Sequence, residues 1–138
     1  MIGVVLVSHG DLAREALSSI ESVLGHPVPA MIAVSTGADD TLESLRARLA
    51  GVVTSVEQGE GTIILTDMFG DSASNVSLSL AEEGRFEVVT GVNLPVLLKV
   101  VSARETMTLE ALAAFLVDYG RNHLMRASPR GRRPKAAG

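Results

Sequence analysis

Two side chains that can act together chemically follow apolar runs of this chain. His9 follows the run from Ile2 to Ser8, and Asp67 follows the run from Thr62 to Thr66. A carboxylate beside an imidazole accepts the N–H of one ring nitrogen, which fixes the tautomer and leaves the other nitrogen as a nucleophile, base or metal ligand. If the two runs are neighbouring strands, the pair therefore suits phosphoryl transfer.

A glycine-containing loop after Asp67 offers groups that would bind phosphoryl oxygens. The stretch FGDSASN, Phe69 to Asn75, opens a predicted helix whose backbone N–H groups lie at a positive dipole end. Ser72 and Ser74 are its side-chain candidates. Each of these residues is also an ordinary cap or loop residue, so the hypothesis depends on their convergence.

Polar residues also follow the other predicted strands, at Ser35 to Gly37 and at Gly91 to Asn93. Ligands of open α/β sheets bind beyond the carboxyl ends of the strands, so Ser35 and Asn93 are candidates for the wall of the same pocket. The other two histidines, His26 and His123, have no comparable neighbours and are predicted to be inert.

The apolar pattern predicts strands that alternate with helices. Continuous apolar runs predict strands at 2–8, 30–35, 62–66 and 86–92, and helical spacing predicts helices at 11–24, 42–56, 74–82, 95–103 and 106–122. Asp39 or Asp40 can cap the second helix, and a capping-box variant is the structural alternative for Ser8 with Asp11 at the first. The alternation predicts an α/β fold, a doubly wound, mainly parallel sheet with helices on both faces.

Length and charge suggest one domain with a basic end. The 138 residues are 46% hydrophobic, which predicts a packed domain over 1–125. Five of the twelve basic residues lie in 126–138, a segment predicted to be a disordered, solubilising tail. The remainder has seven basic against sixteen acidic residues, a net charge of −9, so we expect no nucleic-acid partner.

Several other kinds of site are disfavoured. There is no cysteine, which excludes thiolate catalysis and sulfur-ligated metals. His9, Asp67 and Asp71 supply too few ligands for an obvious metal centre, and no dinucleotide, P-loop or serine-hydrolase motif is present, so no metal or cofactor is predicted. Without a membrane-length apolar run or a signal-like start, the chain is expected to be cytoplasmic and not inserted in a membrane.

Three motifs in chain order resemble the mannose-type EIIA domain of the bacterial phosphoenolpyruvate-dependent sugar phosphotransferase system. VSHG is similar to the phosphorylated-histidine segment of that family, TDMFGDSASN to its Asp-x-x-Gly-Gly-Ser-Pro-x-Asn loop, and GVNLPVLLKV to its Gly-Val-Asn helix start. The resemblance extends over roughly Ile2 to Arg121.

The resemblance implies a phosphocarrier, a phosphotransferase component that works through its histidine. His9 would accept a phosphoryl group from the small carrier HPr and pass it to a histidine of a IIB-type protein. Asp67 would hold the imidazole through Nδ1, which leaves Nε2 to be phosphorylated. The resemblance places Ser72 by the phosphoryl group and Asn93 in the pocket wall. Gly70, Asp71 and Asn75 of the same loop are further phosphoryl-binding candidates, and Ser35 is a further candidate for the wall.

The same resemblance implies how the chain is organised and assembled. It implies strand order 2-1-3-4 and a homodimer that exchanges a C-terminal antiparallel strand. The segment HLMRA, His123 to Ala127, is the candidate for that strand, although by itself it is equally consistent with a fraying helix end. Association with a membrane permease would be indirect, through a IIB-type protein.

Departures from the family pattern leave alternatives open. Asp71 replaces the second glycine of the loop, and Ala73 and Ser74 replace the proline and the residue after it. A carboxylate at 71 places negative charge near a dianionic phosphoryl group, so slower transfer or a different partner is expected. No IIB-like segment follows, which favours a regulatory module whose partner binding is switched by phosphorylation of His9 without sugar transport. Lesser alternatives are an EIIA-like domain that serves dihydroxyacetone kinase and a small hydrolase with His9 as base.

Overall fold

The strands of the computed structural model, which describes residues 1–70, 72–81 and 85–128, form one parallel sheet. They are β1 (Gly3–His9), β2 (Met31–Thr36), β3 (Thr62–Thr66) and β4 (Phe86–Thr90). The strand order is β2-β1-β3-β4 and every pair is parallel. The predicted α/β class and the implied order 2-1-3-4 are therefore confirmed.

The two central strands explain why the site-bearing runs lack polar alternation. β1 is buried over Gly3 to Ser8 and exposed only at His9, and β3 is buried throughout. Strands covered by helices on both faces bury side chains of both orientations, so they read as continuous apolar runs. Val7 pairs with Thr66, so His9 and Asp67 leave adjacent strands at the same edge of the sheet.

Five helices are present in the described ranges, and their predicted ends move by a few residues. They are α1 (Leu12–Leu24), α2 (Leu42–Val56), α3 (Ser72–Leu80), α4 (Leu94–Ala103) and α5 (Leu109–Asn122). α5 begins later than predicted because Thr108 caps it, with its side chain accepting the Ala111 N–H.

The predicted cap of α2 was wrong, and the capping-box alternative at α1 is met only in part. Thr41 caps α2 in a reciprocal capping box with Ser44, because Asp40 turns back to accept the Gly37 N–H at 2.8 Å. At α1 the Asp11 side chain makes no capping bond. The buried Ser8 hydroxyl accepts the Ala13 N–H there, at 2.6 Å.

Helices cover both faces of the sheet, as predicted, but unequally. The larger hydrophobic cluster lies against α1, α4 and α5, with Ile20, Val100 and Leu112 fully buried. The smaller cluster lies against α2 and α3 and includes Leu49 and Val76.

Arg104 closes the larger cluster at the amino ends of the strands. The residue is 1% exposed. Its guanidinium donates to the carbonyls of Pro29 (2.6 Å), Ala30 (3.2 Å) and Ile2 (3.4 Å). Burial lowers the pKa of Arg104, although an arginine stays protonated at any ordinary pH. A single cation thus joins the end of α4 to the starts of β1 and β2.

The last part of the chain is described only to residue 128. Among the residues that the structure describes, 124–128 form no strand, so an exchanged strand at HLMRA stays a prediction. His123 ends α5 and stacks on Tyr119, with ring centroids 3.9 Å apart. Residues 129–138 of the predicted basic tail lie outside the described part. No helix of the described residues is long and apolar enough to cross a bilayer.

Candidate functional site

His9 and Asp67 are in direct contact at the carboxyl edge of the sheet. Asp67 Oδ2 lies 2.9 Å from His9 Nδ1 and also accepts the His9 backbone N–H at 3.1 Å. Asp67 Oδ1 accepts the Met68 N–H at 3.0 Å. The His9 side chain is 55% exposed, whereas that of Asp67 is 15% exposed. The pair therefore presents an imidazole at the surface on a largely covered carboxylate.

The carboxylate favours one tautomer of the His9 ring. Burial raises the pKa of Asp67, but the hydrogen bonds from the His9 ring and backbone outweigh it and lower that pKa below its usual value. The ionised group can only accept hydrogen bonds, so His9 Nδ1 bears the hydrogen. In the neutral ring the lone pair then lies on Nε2.

A second strand holds the backbone on either side of His9. The Thr36 hydroxyl donates to the Ser8 carbonyl at 3.1 Å, and the Thr36 carbonyl accepts the Gly10 N–H at 2.9 Å. Gly10 has φ +52°, which lets the chain turn sharply from β1 into α1. The turn is therefore tied to β2 on one side and to Asp67 on the other.

The N-termini of two helices line a cavity that His9 also lines. A cavity of about 530 Å³ is lined by His9, by Thr41 and Leu42 at the start of α2, and by Ser72 at the start of α3. α1 begins three residues after His9. Helix N-termini concentrate partial positive charge and unpaired backbone N–H groups, so this cavity suits a phosphoryl dianion.

The loop after Asp67 is built to lead into α3. Gly70 has φ +89°, and its N–H donates to the buried Ser74 hydroxyl at 2.9 Å. Asn75 is exposed one turn after Ser72, on the same side of α3. The structure thus brings Ser72 to the cavity of His9, with Gly70 and Asn75 nearby in the chain. Asp71 lies outside the described residues.

A salt bridge fixes the opposite wall of the cavity. Asp40, which lines it, receives the Gly37 N–H and lies 3.1 Å from Arg48 Nη2. The Gly37 hydrogen bond, aided by Arg48, holds the pKa of Asp40 below its usual value. Because Arg48 balances this carboxylate, it repels an incoming anion less than an unpaired acid would.

Ser35 and Asn93 lie at strand ends but have other contacts. The Ser35 hydroxyl is buried without a hydrogen-bond partner among the described residues, and its carbonyl accepts from Arg48. Asn93 Oδ1 caps α4 through the Val96 N–H, and Asn93 Nδ2 donates to the Gly120 carbonyl of α5. Asn93 lines a separate cavity of about 320 Å³ between α1 and α4, which Asp67 also borders.

The family is decided by a match over most of the chain. The model of the EIIA-man family, described as "PTS system fructose IIA component", matches residues 3–117. The chain belongs to the EIIA-man family. Membership of this family of phosphotransferase-system IIA components supports a phosphocarrier role for the chain, and it places the His9–Asp67 pair in the matched region.

Individual relatives agree with the EIIA-man assignment. The PTS system fructose-specific EIIA component of Bacillus subtilis is 30% identical over 113 residues, which cover 81% of this chain and 77% of that protein. The PTS system mannose-specific EIIAB component of Escherichia coli K12 is 29% identical over 130 residues, and the matched region is 38% of its length. The mannose/sorbose-specific IIA subunit of Enterococcus faecalis has the same fold, with a TM-score of 0.83, 24% identity and 96% and 98% of the two chains covered.

Thr36 and the large apolar residues around His9 were not among the predicted site residues of this EIIA-man chain. A signal for Thr36 was available, because it lies in the polar segment Ser35 to Gly37 that follows the second predicted strand. The exposure of the apolar side chains, Met68 and Phe69 among them, was not predicted, because large apolar residues are usually buried.

Proposed function

We propose that this chain accepts a phosphoryl group on His9 Nε2 from an HPr-like phosphocarrier and passes it to a IIB-type protein. In the first step a bond forms between Nε2 and phosphorus while the N–P bond of the donor phosphohistidine breaks, and the donor imidazole departs. In the second step the same exchange occurs with the acceptor histidine. The observation that supports this most is the exposed imidazole held through Nδ1 by Asp67 at 2.9 Å.

The surrounding charges favour this exchange. Asp67 stabilises the positive charge that the imidazole ring gains when Nε2 bonds to phosphorus. The N-termini of α2 and α3, with Ser72, would face the phosphoryl oxygens. Donor and acceptor are chemically alike, so positioning and charge stabilisation account for most of the required catalysis.

A direct experiment tests the proposal. The chain is incubated with phosphoenolpyruvate, enzyme I and HPr, and its intact mass is followed. We expect a gain of one acid-labile phosphoryl group, located on His9 by fragmentation and absent from His26 and His123. Failure to gain it from competent phospho-HPr would contradict the proposal. Gain without onward transfer to any IIB-type protein would favour the regulatory alternative, in which phosphorylation of His9 only switches partner binding.

Exposed apolar side chains around His9 support docking of protein partners. We call them the strand-end patch: Leu12, Leu42, Met68, Phe69 and Leu94. Leu42 borders the cavity of His9, whereas Leu12 and Leu94 border the cavity beside Asp67. All five follow the carboxyl end of a strand, and several exposed large apolar side chains at one end of a sheet are typical of an interaction site.

Replacing Phe69 with Ser is expected to reduce transfer from phospho-HPr by about tenfold or more, mainly through KM, because a central aromatic side chain dominates such interfaces. Phosphorylation by the small donor phosphoramidate should not change. Val23→Ser is the matched control, since Val23 is 67% exposed and Phe69 is 69% exposed. Val23 lies at the C-terminal end of α1, whereas Leu12 of the strand-end patch lies at its N-terminal end. Equal losses in both variants, or an equal loss with phosphoramidate, would rule out a docking role for Phe69.

We also propose that two copies associate through the edge of the sheet. Among the described strands β4 has a neighbour on one side only, which is β3. A cavity of about 200 Å³ lies along β4 and α5 and is bordered by Leu124, an exposed apolar residue of HLMRA. An added strand at this edge would cover it, as proteins generally require of exposed edges.

A further inference from the structure

The backbone around His9 is fixed by one residue of β2. Thr36 pairs with His9 across the β1–β2 ladder. Its hydroxyl donates to the carbonyl of Ser8, and its own carbonyl accepts the N–H of Gly10. Thr36 therefore bonds to the residue before His9 and to the residue after it.

The peptide unit between Ser8 and His9 also fixes the orientation of the imidazole, through its N–H group. Asp67 Oδ2 accepts both the His9 backbone N–H at 3.1 Å and the Nδ1 hydrogen at 2.9 Å. One oxygen can accept both hydrogen bonds only while the separation between the His9 backbone and β3 stays unchanged. A shift of the His9 backbone away from β3 would lengthen the bond from the His9 N–H and carry the ring away from Oδ2 with it.

We propose that Thr36 is a positioning residue for the phosphoacceptor. Its hydroxyl holds the Ser8 carbonyl toward β2, which keeps the His9 N–H and Nδ1 together on Asp67 Oδ2 and directs Nε2 into the cavity of about 530 Å³. This inference rests on the proposed function, since it concerns the rate at which His9 accepts a phosphoryl group. Transfer rates are sensitive to such placement, because a displacement near 1 Å costs about 10²-fold.

No other contact in the described residues requires this hydroxyl. The turn after β2 is closed by Asp40 on the Gly37 N–H, and the Gly10 bond uses the Thr36 backbone. Val has the shape and the strand preference of Thr. Thr36→Val therefore removes this one side-chain hydrogen bond and leaves in place the strand preference of the position and the bond from Gly10 N–H to the Thr36 carbonyl.

The test compares Thr36→Val, Thr36→Ser and Thr62→Val. Thr62 is a matched control, because its hydroxyl also donates to a carbonyl, that of Val53 at 3.1 Å, but at the amino end of β3. We expect Thr36→Val to slow phosphorylation by phospho-HPr by about five- to twentyfold. Thr36→Ser and Thr62→Val should stay within about twofold of the parent chain, although Thr62→Val loses comparable stability.

A second measurement does not depend on phosphoryl transfer. Nitrogen-15 spectra of the unphosphorylated chain report the tautomer of the His9 ring, and Thr36→Val should lower the fraction with hydrogen on Nδ1, whereas Thr62→Val should not. A parental rate and a parental ring spectrum in Thr36→Val would overturn the inference, and so would a rate loss that Ser does not restore. If the parent chain accepts no phosphoryl group but Thr36→Val still alters the ring, the proposed function fails and the positioning role stands.

Discussion

Replacing Asp67 with Asn is expected to slow phosphorylation of His9 by about 10²- to 10⁴-fold, the range expected when a ring is held in the wrong tautomer. The carboxylate accepts from His9 N, His9 Nδ1 and Met68 N. An amide has one acceptor oxygen, and its NH₂ group must face at least one of these donors. When it faces the ring, Nδ1 becomes the acceptor and the hydrogen moves to Nε2, which removes the lone pair that attacks phosphorus.

The measurement is the single-turnover rate with excess phospho-HPr, with the tautomer of the ring followed by nitrogen-15 chemical shifts. Asp118→Asn is the control, because Asp118 is an exposed carboxylate on α5 and the change in charge is the same. It should alter the rate by less than about twofold. A loss below about tenfold for Asp67→Asn would show that the carboxylate does not select the tautomer.

Replacing Arg104 with Ala is expected to lower the free energy of unfolding by about 3–5 kcal/mol. The change opens a cavity the size of a guanidinium and its stem in the larger core. It also removes the donors to the carbonyls of Pro29, Ala30 and Ile2. Buried acceptors that lose their partners incur their desolvation cost in full.

Urea unfolding and thermal melting measure this effect, and we expect the midpoint of the melt to fall by about 10–20 °C. Arg14→Ala is the control, since Arg14 makes an exposed ion pair with Asp11 and should change stability by less than about 1 kcal/mol. Below the melt, Arg104→Ala should accept a phosphoryl group at the parental rate, because Arg104 lies at the end of the sheet opposite His9. A stability change as small as that of Arg14→Ala would mean that the site closes over the missing side chain.

The strands and the central pair were predictable from the sequence for one physical reason. Strands buried on both faces leave unbroken apolar runs, and the polar residue that ends each run must lie at the carboxyl edge of a parallel sheet. His9 and Asp67 could therefore be placed at the same edge of the sheet before any coordinates, where they meet if their strands are neighbours. The neighbour relation of β1 and β3 itself came only from the family resemblance.

Other features depend on contacts that local sequence does not reveal. In the stretch ADDT, residues 38–41, three residues can cap a helix. The ion pair with Arg48 helps to hold the Asp40 side chain away from the start of α2, and Thr41 is the cap. Strand β2 continues one residue beyond its predicted end, which places Thr36 beside His9. Arg104 has the type of a surface residue, and its burial depends on carbonyls more than seventy positions earlier in the chain.

The unequal layers of the fold also determine where the molecule can move. α3, which carries Ser72, buries only small side chains, and two of its four buried residues are serines. Little apolar area anchors it, so its amide hydrogens should exchange with solvent at a lower opening free energy than those of α4 or α5. The helices on the opposite face of the sheet, α1, α4 and α5, pack against the larger hydrophobic cluster. We therefore expect the cavity wall that α3 provides to open more readily than the buried strand that bears His9.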